Sequence, residues 1–262
     1  VRLRVYSRAG GSLDTTDGWG KVYSYNNETG KEQRWNWLRE GSCTINLPAQ
    51  VGVAETTSNS STTSRTLTKV SGTASGHQMY AFITWANTAA VITPPSGWTL
   101  LSSDSITGLK VALYTKTAGG SEPANYTWTW DVATAAAGHL SAWSNILDPD
   151  LEIGITQKTT ATNSYLSSDV FVISPACLIF TFTGATTNTN IDQLELWQEI
   201  TDLGTTNLRN QVSYTTSMDN GLNTGYSGTI SSSTTSITIT LHATPTYSAL
   251  NLTTGYMAPS AY

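Results

Sequence analysis

The stretch Ile92-Thr93-Pro94-Pro95-Ser96-Gly97-Trp98-Thr99-Leu100-Leu101 decides the fold class of this chain. Its two adjacent prolines fix φ and lack backbone donors, and Gly97 can adopt a positive φ, so the stretch predicts a tight turn. Trp98 follows the turn directly and begins a strand that can bury a large aromatic side chain. No motif elsewhere in the sequence points as clearly to catalysis as this one points to a β-structure.

Farther along, Tyr126-Thr127-Trp128-Thr129-Trp130 alternates aromatic residues with threonines. Successive side chains of a strand point to opposite faces, so the three aromatic rings share one face. On an exposed face they would form a platform for sugar rings, and on a buried face they would be the core of a sandwich. We predict burial, because threonines suit the exposed face of a pleated sheet.

The same module recurs later in the chain, at offsets of 99 or 100 residues. The matched segments are Leu67 with Leu166, 79–84 with 178–183, 98–102 with 197–201, 111–115 with 211–215, Tyr126 with Tyr226, and 139–140 with 237–239. Each repeat holds several short strands separated by turn residues, which is the pattern of a sandwich. The sequence therefore predicts an all-β protein, a jelly-roll or Ig-like β-sandwich built from two repeats, 67–150 and 151–243. Tandem sandwiches and two halves of one sandwich both fit, and the lack of a flexible linker after Asp150 favours close packing of the halves.

The composition of the chain argues against several classes of partner. Charged residues are only 12% of the 262, and the formal net charge is −5, which argues against a nucleic-acid partner. No apolar run is long enough to span a bilayer, so no membrane insertion is expected. Cys43 and Cys177 lack the spacing of a zinc site, and a single disulfide or two buried thiols remain alternatives.

Segments that differ from the repeats flank them. Residues 1–48 carry seven basic and five acidic residues, a net charge of +2, against −7 for the remainder. Two alternating segments around Asn26-Asn27-Glu28-Thr29-Gly30 predict a hairpin, so 1–48 reads as a small β-rich module that docks on something else. Residues 49–66 are a polar linker or an edge strand, and 244–262 form an extended arm. Tyr, Trp and Arg favour interface anchors, so the candidate partner-docking residues are Tyr23, Tyr25, Arg34, Trp35, Trp37, Tyr247, Tyr256 and Tyr262.

Acidic clusters in the chain do not make a convincing catalytic or metal site. Glu195 and Glu199 flank Trp197, but carboxylates at i and i+4 of a strand lie about 13 Å apart, too far for glycoside hydrolysis. Asp148, Asp150 and Glu152 offer oxygen ligands, but their spacing matches no calcium loop. The histidines are scattered, so we predict no catalytic residue, no metal and no cofactor.

Four segments of the chain resemble a β-sandwich module of tailed-bacteriophage virion proteins that also occurs in secreted bacterial proteins. They are Thr93-Pro94-Pro95-Ser96-Gly97-Trp98-Thr99-Leu100-Leu101, Leu109-Lys110-Val111-Ala112-Leu113-Tyr114, Ser121-Glu122-Pro123-Ala124-Asn125-Tyr126-Thr127-Trp128-Thr129-Trp130 and Ala136-Ala137-Gly138-His139-Leu140-Ser141-Ala142-Trp143-Ser144-Asn145-Ile146. The resemblance covers residues 65–243, closely in the first repeat and loosely in the second. It implies a non-catalytic sandwich displayed on a virion or a cell surface.

Two functions follow as expectations. The first is a non-enzymatic structural protein of a phage virion, either a head decoration protein or a tail or fibre component, extracellular on the particle surface. Its partners would be other capsid or tail proteins, further copies of the chain and a host-surface glycan. The alternative is a carbohydrate-binding module of a secreted or surface adhesin, with Trp197, or Trp35 and Trp37, as the exposed ring that stacks on sugars.

Overall fold

The computed structural model describes residues 13–14, 21–26, 31–36, 45–158, 164–166, 170–172, 177–187, 191, 197–205, 208–216, 221–223, 227–229 and 234–247. It divides into two compact units, the first formed by Val1–Ile45 with Tyr247–Tyr262 and the second by Asn46–Thr246. The strands of the described residues are β1 (Leu13–Asp14), β2 (Lys21–Asn26), β3 (Lys31–Asn36), β4 (Ile45–Asn46), β5 (Ala49–Gln50), β6 (Glu55–Thr68), β7 (Gln78–Trp85), β8 (Ile92–Thr93), β9 (Thr99–Ile106), β10 (Leu109–Thr117), β11 (Asn125–Ser144), β12 (Ile146–Lys158), β13 (Ser164–Leu166), β14 (Val170–Val172), β15 (Leu178–Ala185), β16 (Gln198–Thr205), β17 (Leu208–Thr216), β18 (Gly221–Asn223), β19 (Ser227–Thr229) and β20 (Ser236–Tyr247).

The first unit contains a small antiparallel sheet in the order β1-β2-β3. Strands β2 and β3 are the hairpin that the sequence predicts, with Lys21 opposite Asn36 and Asn26 opposite Lys31. The register places Tyr23 opposite Arg34 and Val22 opposite Trp35. Tyr23 and Arg34, two of the candidate docking residues, are therefore cross-strand neighbours.

The second unit is an all-β sandwich of two antiparallel sheets. Sheet I consists of strands of the first repeat with β5 and β6 before it, in the order β5-β11-β7-β10-β9, with β6 and β8 also paired to β11. Sheet II consists of strands after Asn145, in the order β12-β20-β15-β17-β16, with β4 (Ile45–Asn46) also paired to β20. The short pairs β13-β19 and β14-β18 also belong to the second repeat. No helix in the described part of the chain is long and apolar enough to cross a membrane.

An approximate two-fold axis relates the two sheets. Ring contacts at the centre join equivalent residues, Tyr80 with Phe180 at 5.3 Å and Phe82 with Phe182 at 5.6 Å between centroids. The two edges repeat the same backbone contact. Ser58 Oγ donates to the carbonyl of Gly204 at 3.0 Å on one side. On the other side, Gln157 Nε2 reaches the carbonyl of Ser105 at 3.5 Å.

The sandwich has two cores, and the one between the sheets accounts for the close packing of the repeats. The first core lies on the face of sheet I that points away from sheet II, and includes Ile83, Trp85, Trp98, Tyr126, Trp128 and Trp130. The inter-sheet core lies between the sheets, and includes Tyr80, Phe82, Val111, Trp143, Phe180, Phe182, Val212 and Ile239. Every residue of β7 is buried, because this strand contributes side chains to both cores. The two repeats are thus halves of one packed structure, as the absence of a linker indicated.

The structure confirms the core face predicted for the alternating segment. Tyr126, Trp128 and Trp130 are buried, whereas Thr127 and Thr129 are exposed. Trp98 packs edge-on against Tyr126 and Trp128, at 5.2 and 5.3 Å between ring centroids. Gly97 has φ of 82°, as the turn requires. Of the two alternatives for the polar stretch before the first repeat, the structure has the strand, because β6 pairs along β11.

The sequence alignment of the repeats is wrong by one residue in two strands. We matched 79–84 with 178–183, but the ring contacts and the strand bounds give an offset of 100, so that Phe82 corresponds to Phe182. We matched 111–115 with 211–215, but β10 and β17 correspond at an offset of 99. A slip of one residue exchanges the two faces of a strand, so these corrections decide which side chains enter the inter-sheet core.

Candidate functional site

The chain enters and leaves the sandwich at one point. Asn145, between β11 and β12, donates from Nδ2 to the carbonyl of Leu47 at 2.9 Å. The carbonyl of Asn145 accepts a hydrogen bond from the amide of Thr246 at 2.8 Å. Leu47 is the second residue of the second unit and Thr246 is its last, so a single residue joins both ends.

The backbone of Asn145 explains why this residue can do so. Its φ is 60°, the one positive φ of a non-glycine residue in the described part of the chain. Asn tolerates the left-handed region better than other residues with a side chain. The turn there leaves the side-chain amide and the backbone carbonyl free to bond two different segments. Ser144 adds a further contact, because its hydroxyl donates to the carbonyl of Ala49 at 3.3 Å.

Two exposed leucines lie beside this residue. Leu47 is 60% exposed, and Leu147, two residues after Asn145, is 62% exposed. Burying a leucine side chain releases roughly 1.5–3 kcal/mol, so both can contribute to binding a partner. We call Leu47, Asn145, Leu147 and Thr246 the chain-exit site. Sequence reasoning missed it, because Leu47 and Asn145 are separated by 98 residues and only the fold joins them. The one available signal was Ser144-Asn145, a turn-forming pair directly after a buried strand.

The structure places the docking candidates of the sequence only in part. Tyr23, Tyr25, Arg34 and Trp35 lie on β2 and β3 at backbone level, and Tyr247 is the last residue of β20. Trp37, Tyr256 and Tyr262 lie outside the described residues, as does Cys43. Cys177 is buried.

Trp197 does not have the exposure that sugar stacking requires. Its side chain is only 4% exposed, close to the 7% of Trp98, its counterpart in the first repeat. Strand alternation among residues 194–200 would turn this ring outward, whereas equivalence with Trp98 turns it inward, and the observed burial follows the repeat. The expectation of an exposed glycan-binding ring at Trp197 is therefore wrong.

Among the residues that the structure describes, the acidic side chains do not come together as a metal site. Glu199 is exposed on β16, Glu195 lies outside the described residues, and the side chains of Asp148 and Asp150 are likewise outside them. Among the side chains that the structure describes, no three His, Cys, Asp or Glu groups come together in a way that could hold a metal ion.

Comparisons with known proteins give no relative. No protein-family model, no characterised protein and no solved structure matches the chain. The resemblance to phage virion modules therefore rests on the residues quoted above.

Proposed function

We propose that this protein is a non-enzymatic structural protein of a tailed-phage virion, a head decoration protein or a tail or fibre component, which displays its sandwich on the particle surface. The observation that carries the proposal is the chain-exit site. Both flanking segments start from the same point of the sandwich, so docking through them leaves the remaining surface of the sandwich free. Other copies of the chain and a host-surface glycan are partners within the same proposal.

The physical properties of the sandwich support a role of display. Two cores bury most of the aromatic side chains that the structure describes in the sandwich, and hydrogen bonds join the edge strands of one sheet to those of the other. The low share of charged residues limits non-specific electrostatic contacts. The flanks carry the aromatic and basic residues that favour specific interfaces.

The proposal predicts that residues 1–44 are needed for incorporation but not for folding. A variant that lacks them keeps Asn46–Thr246, which is a compact unit. In cells that produce the phage without its own copy of the gene, this variant should remain soluble and folded by circular dichroism. It should be missing from particles purified on a density gradient. Incorporation of the truncated protein at the full level would contradict the proposal.

The chain-exit site can be tested separately with a double variant, Leu47→Ser with Leu147→Ser. If both leucines are buried against the particle, incorporation should fall at least about tenfold, because each side chain contributes more than about 1 kcal/mol. Leu100→Ser is the matched control, since Leu100 is 50% exposed on β9. Equal incorporation of the double variant and the control would show that the exit site does not dock.

A further inference from the structure

Two buried polar side chains in the layer between the sheets stand out. His139 on β11 and Asn210 on β17 are both 0% exposed. Neither ring nitrogen of His139 and neither side-chain amide atom of Asn210 has a hydrogen-bond partner. An unpaired buried polar group loses its hydrogen bonds to water without replacement, so a fold seldom keeps such groups without a reason.

The alignment of β11 and β17 places the two residues opposite each other across this layer. Trp143 of β11 packs on Tyr214 of β17, with ring centroids 4.8 Å apart. Near the other end of the same strands, Ser58 bonds Gly204, and these residues pair with Ala137 and Arg209. Between these two contacts β11 and β17 run in the same direction. His139 precedes Trp143 by four residues and Asn210 precedes Tyr214 by four, so they occupy opposite positions.

The two-fold axis supplies an apolar version of the same contact. At the repeat offsets, Asn210 corresponds to Val111 and His139 corresponds to Ile239. Val111 and Ile239 both belong to the inter-sheet core. The fold therefore accepts the apolar residues Val111 and Ile239 on one side of the two-fold axis. The polar residues Asn210 and His139 occur only on the other side.

No ionisable group faces His139 from the strands packed against it, among the described residues. Thr56 of β6, Phe82 of β7 and Leu203 of β16 are the neighbours in register with His139 or Asn210. Arg65 lies on the other face of sheet I, against the backbone of Ala136 and Gly138. Asp202 and Arg209 pair with each other on the alternate positions of β16 and β17. An imidazolium here would have no carboxylate to compensate it.

We propose that His139 and Asn210 form an acid-sensitive contact between the two sheets, at which protonation of the imidazole loosens the packing of sheet I on sheet II. Burial lowers the pKa of His139 to about 3 in the folded protein. An unfolded or opened chain takes up the proton at the ordinary value of about 6.5. The contribution of His139 to stability is therefore complete above pH 6.5 and is lost as the pH falls from 6.5 towards 3.

Urea unfolding at pH 7.5 and pH 4.5 tests this proposal. From the two pKa values, His139 should raise the unfolding equilibrium constant of the wild-type protein about a hundredfold between these pH values. His139→Gln keeps a polar side chain that does not titrate, and His139→Ile with Asn210→Val copies the apolar pair. Both variants should lack this component of the acid response. Equal losses in the wild type and both variants would overturn the proposal.

Hydrogen exchange locates the effect. At pH 4.5, the backbone amides of β11 and β17 should exchange faster in the wild type than in His139→Gln, whereas at pH 7.5 the two proteins should match. Comparing the proteins at one pH cancels the intrinsic pH dependence of exchange. His77→Gln is the matched control, since Nδ1 of His77 accepts a hydrogen bond from Ala74 in a turn outside both cores. If the amides of β11 and β17 are equally protected in the wild type and in His139→Gln at pH 4.5, the proposal is overturned.

Discussion

At the scale of single residues, Glu122 fixes the turn between β10 and β11. Its Oε1 accepts a hydrogen bond from the amide of Gly119 at 2.6 Å. Its Oε2 accepts from Lys116 Nζ at 2.6 Å and from the Tyr126 hydroxyl at 2.7 Å. Burial acts to raise the pKa of Glu122, but the hydrogen bonds from Gly119, Lys116 and Tyr126 outweigh it and lower the pKa to about 2. The carboxylate thus connects a surface turn to a residue of the first core.

We predict that Glu122→Gln lowers the free energy of unfolding at pH 7 by roughly 1–2 kcal/mol, because bonds to a charged acceptor become bonds to a neutral one. The folded pKa lies below the ordinary 4.5, so this stabilisation is present above pH 4.5 and is lost as the pH falls towards 2. Urea titrations at pH 7, 4 and 3 measure both effects. Glu199→Gln is the control and should change little, because Glu199 is an exposed residue of β16. A variant as stable as the wild type at pH 7 would contradict this role.

At the scale of elements, Gly184 sets how closely β15 approaches sheet I. A Cβ atom there would lie 2.6 Å from Val111 Cγ1 and 2.8 Å from Thr84 Cγ2. Real Cβ atoms do not come this close, so a side chain would push β15 away from β7 and β10. The glycine is needed because the central strands of the two repeats meet at this point.

Gly184→Ala should therefore destabilise the second unit by about 1–3 kcal/mol, even though alanine normally suits a strand at least as well as glycine. The change in urea midpoint measures the loss. Gly120→Ala is the control, since a Cβ at Gly120 meets nothing within 4 Å. An unchanged midpoint for Gly184→Ala would mean that the sheets adjust freely.

At the scale of the whole molecule, the two repeats are packed as the subunits of a symmetric dimer would be. The face of sheet I that enters the inter-sheet core carries Tyr80, Phe82, Leu109, Val111, Leu113 and Trp143. Sheet II meets it with the equivalent face of the second repeat. Equivalent residues touch at the axis, which is the condition for a self-complementary interface.

We predict that the first repeat together with β5 and β6, residues 46–145, forms a two-fold dimer through this face. It keeps its own first core, and the free face is a large apolar surface that a second copy can cover. Sedimentation velocity should show a dimer at micromolar concentration. Phe82→Asp should abolish the dimer, because it places a charge near the axis. A monodisperse monomer of the unmodified repeat would contradict the prediction.

Much of the fold could be predicted from the sequence, but the sequence did not always show which face of a strand is buried in which core. The alternation around Trp128 was sufficient to predict its burial, since aromatic residues favour the buried face of a sheet and threonines suit the exposed face. The repeat was found, but its offset was ambiguous, because 79–84 and 178–183 are both rich in apolar residues at odd and even positions. A strand that is buried on both faces carries no alternation to fix its register. Local patterns also could not predict the chain-exit site or the facing of His139 and Asn210, because these depend on pairing between distant strands.

The sandwich is an insertion in the chain of the smaller unit, and the hydrogen bonds of Asn145 hold its two ends together. The first unit contains residues from both ends of the sequence, and the sandwich interrupts it between Ile45 and Tyr247. A domain whose ends meet can be placed in a surface loop of another protein, or can be given new termini elsewhere, without stretching either partner. The sandwich is thus a transferable module, and only the two chain connections near Asn145 have to be made when it is joined to another protein.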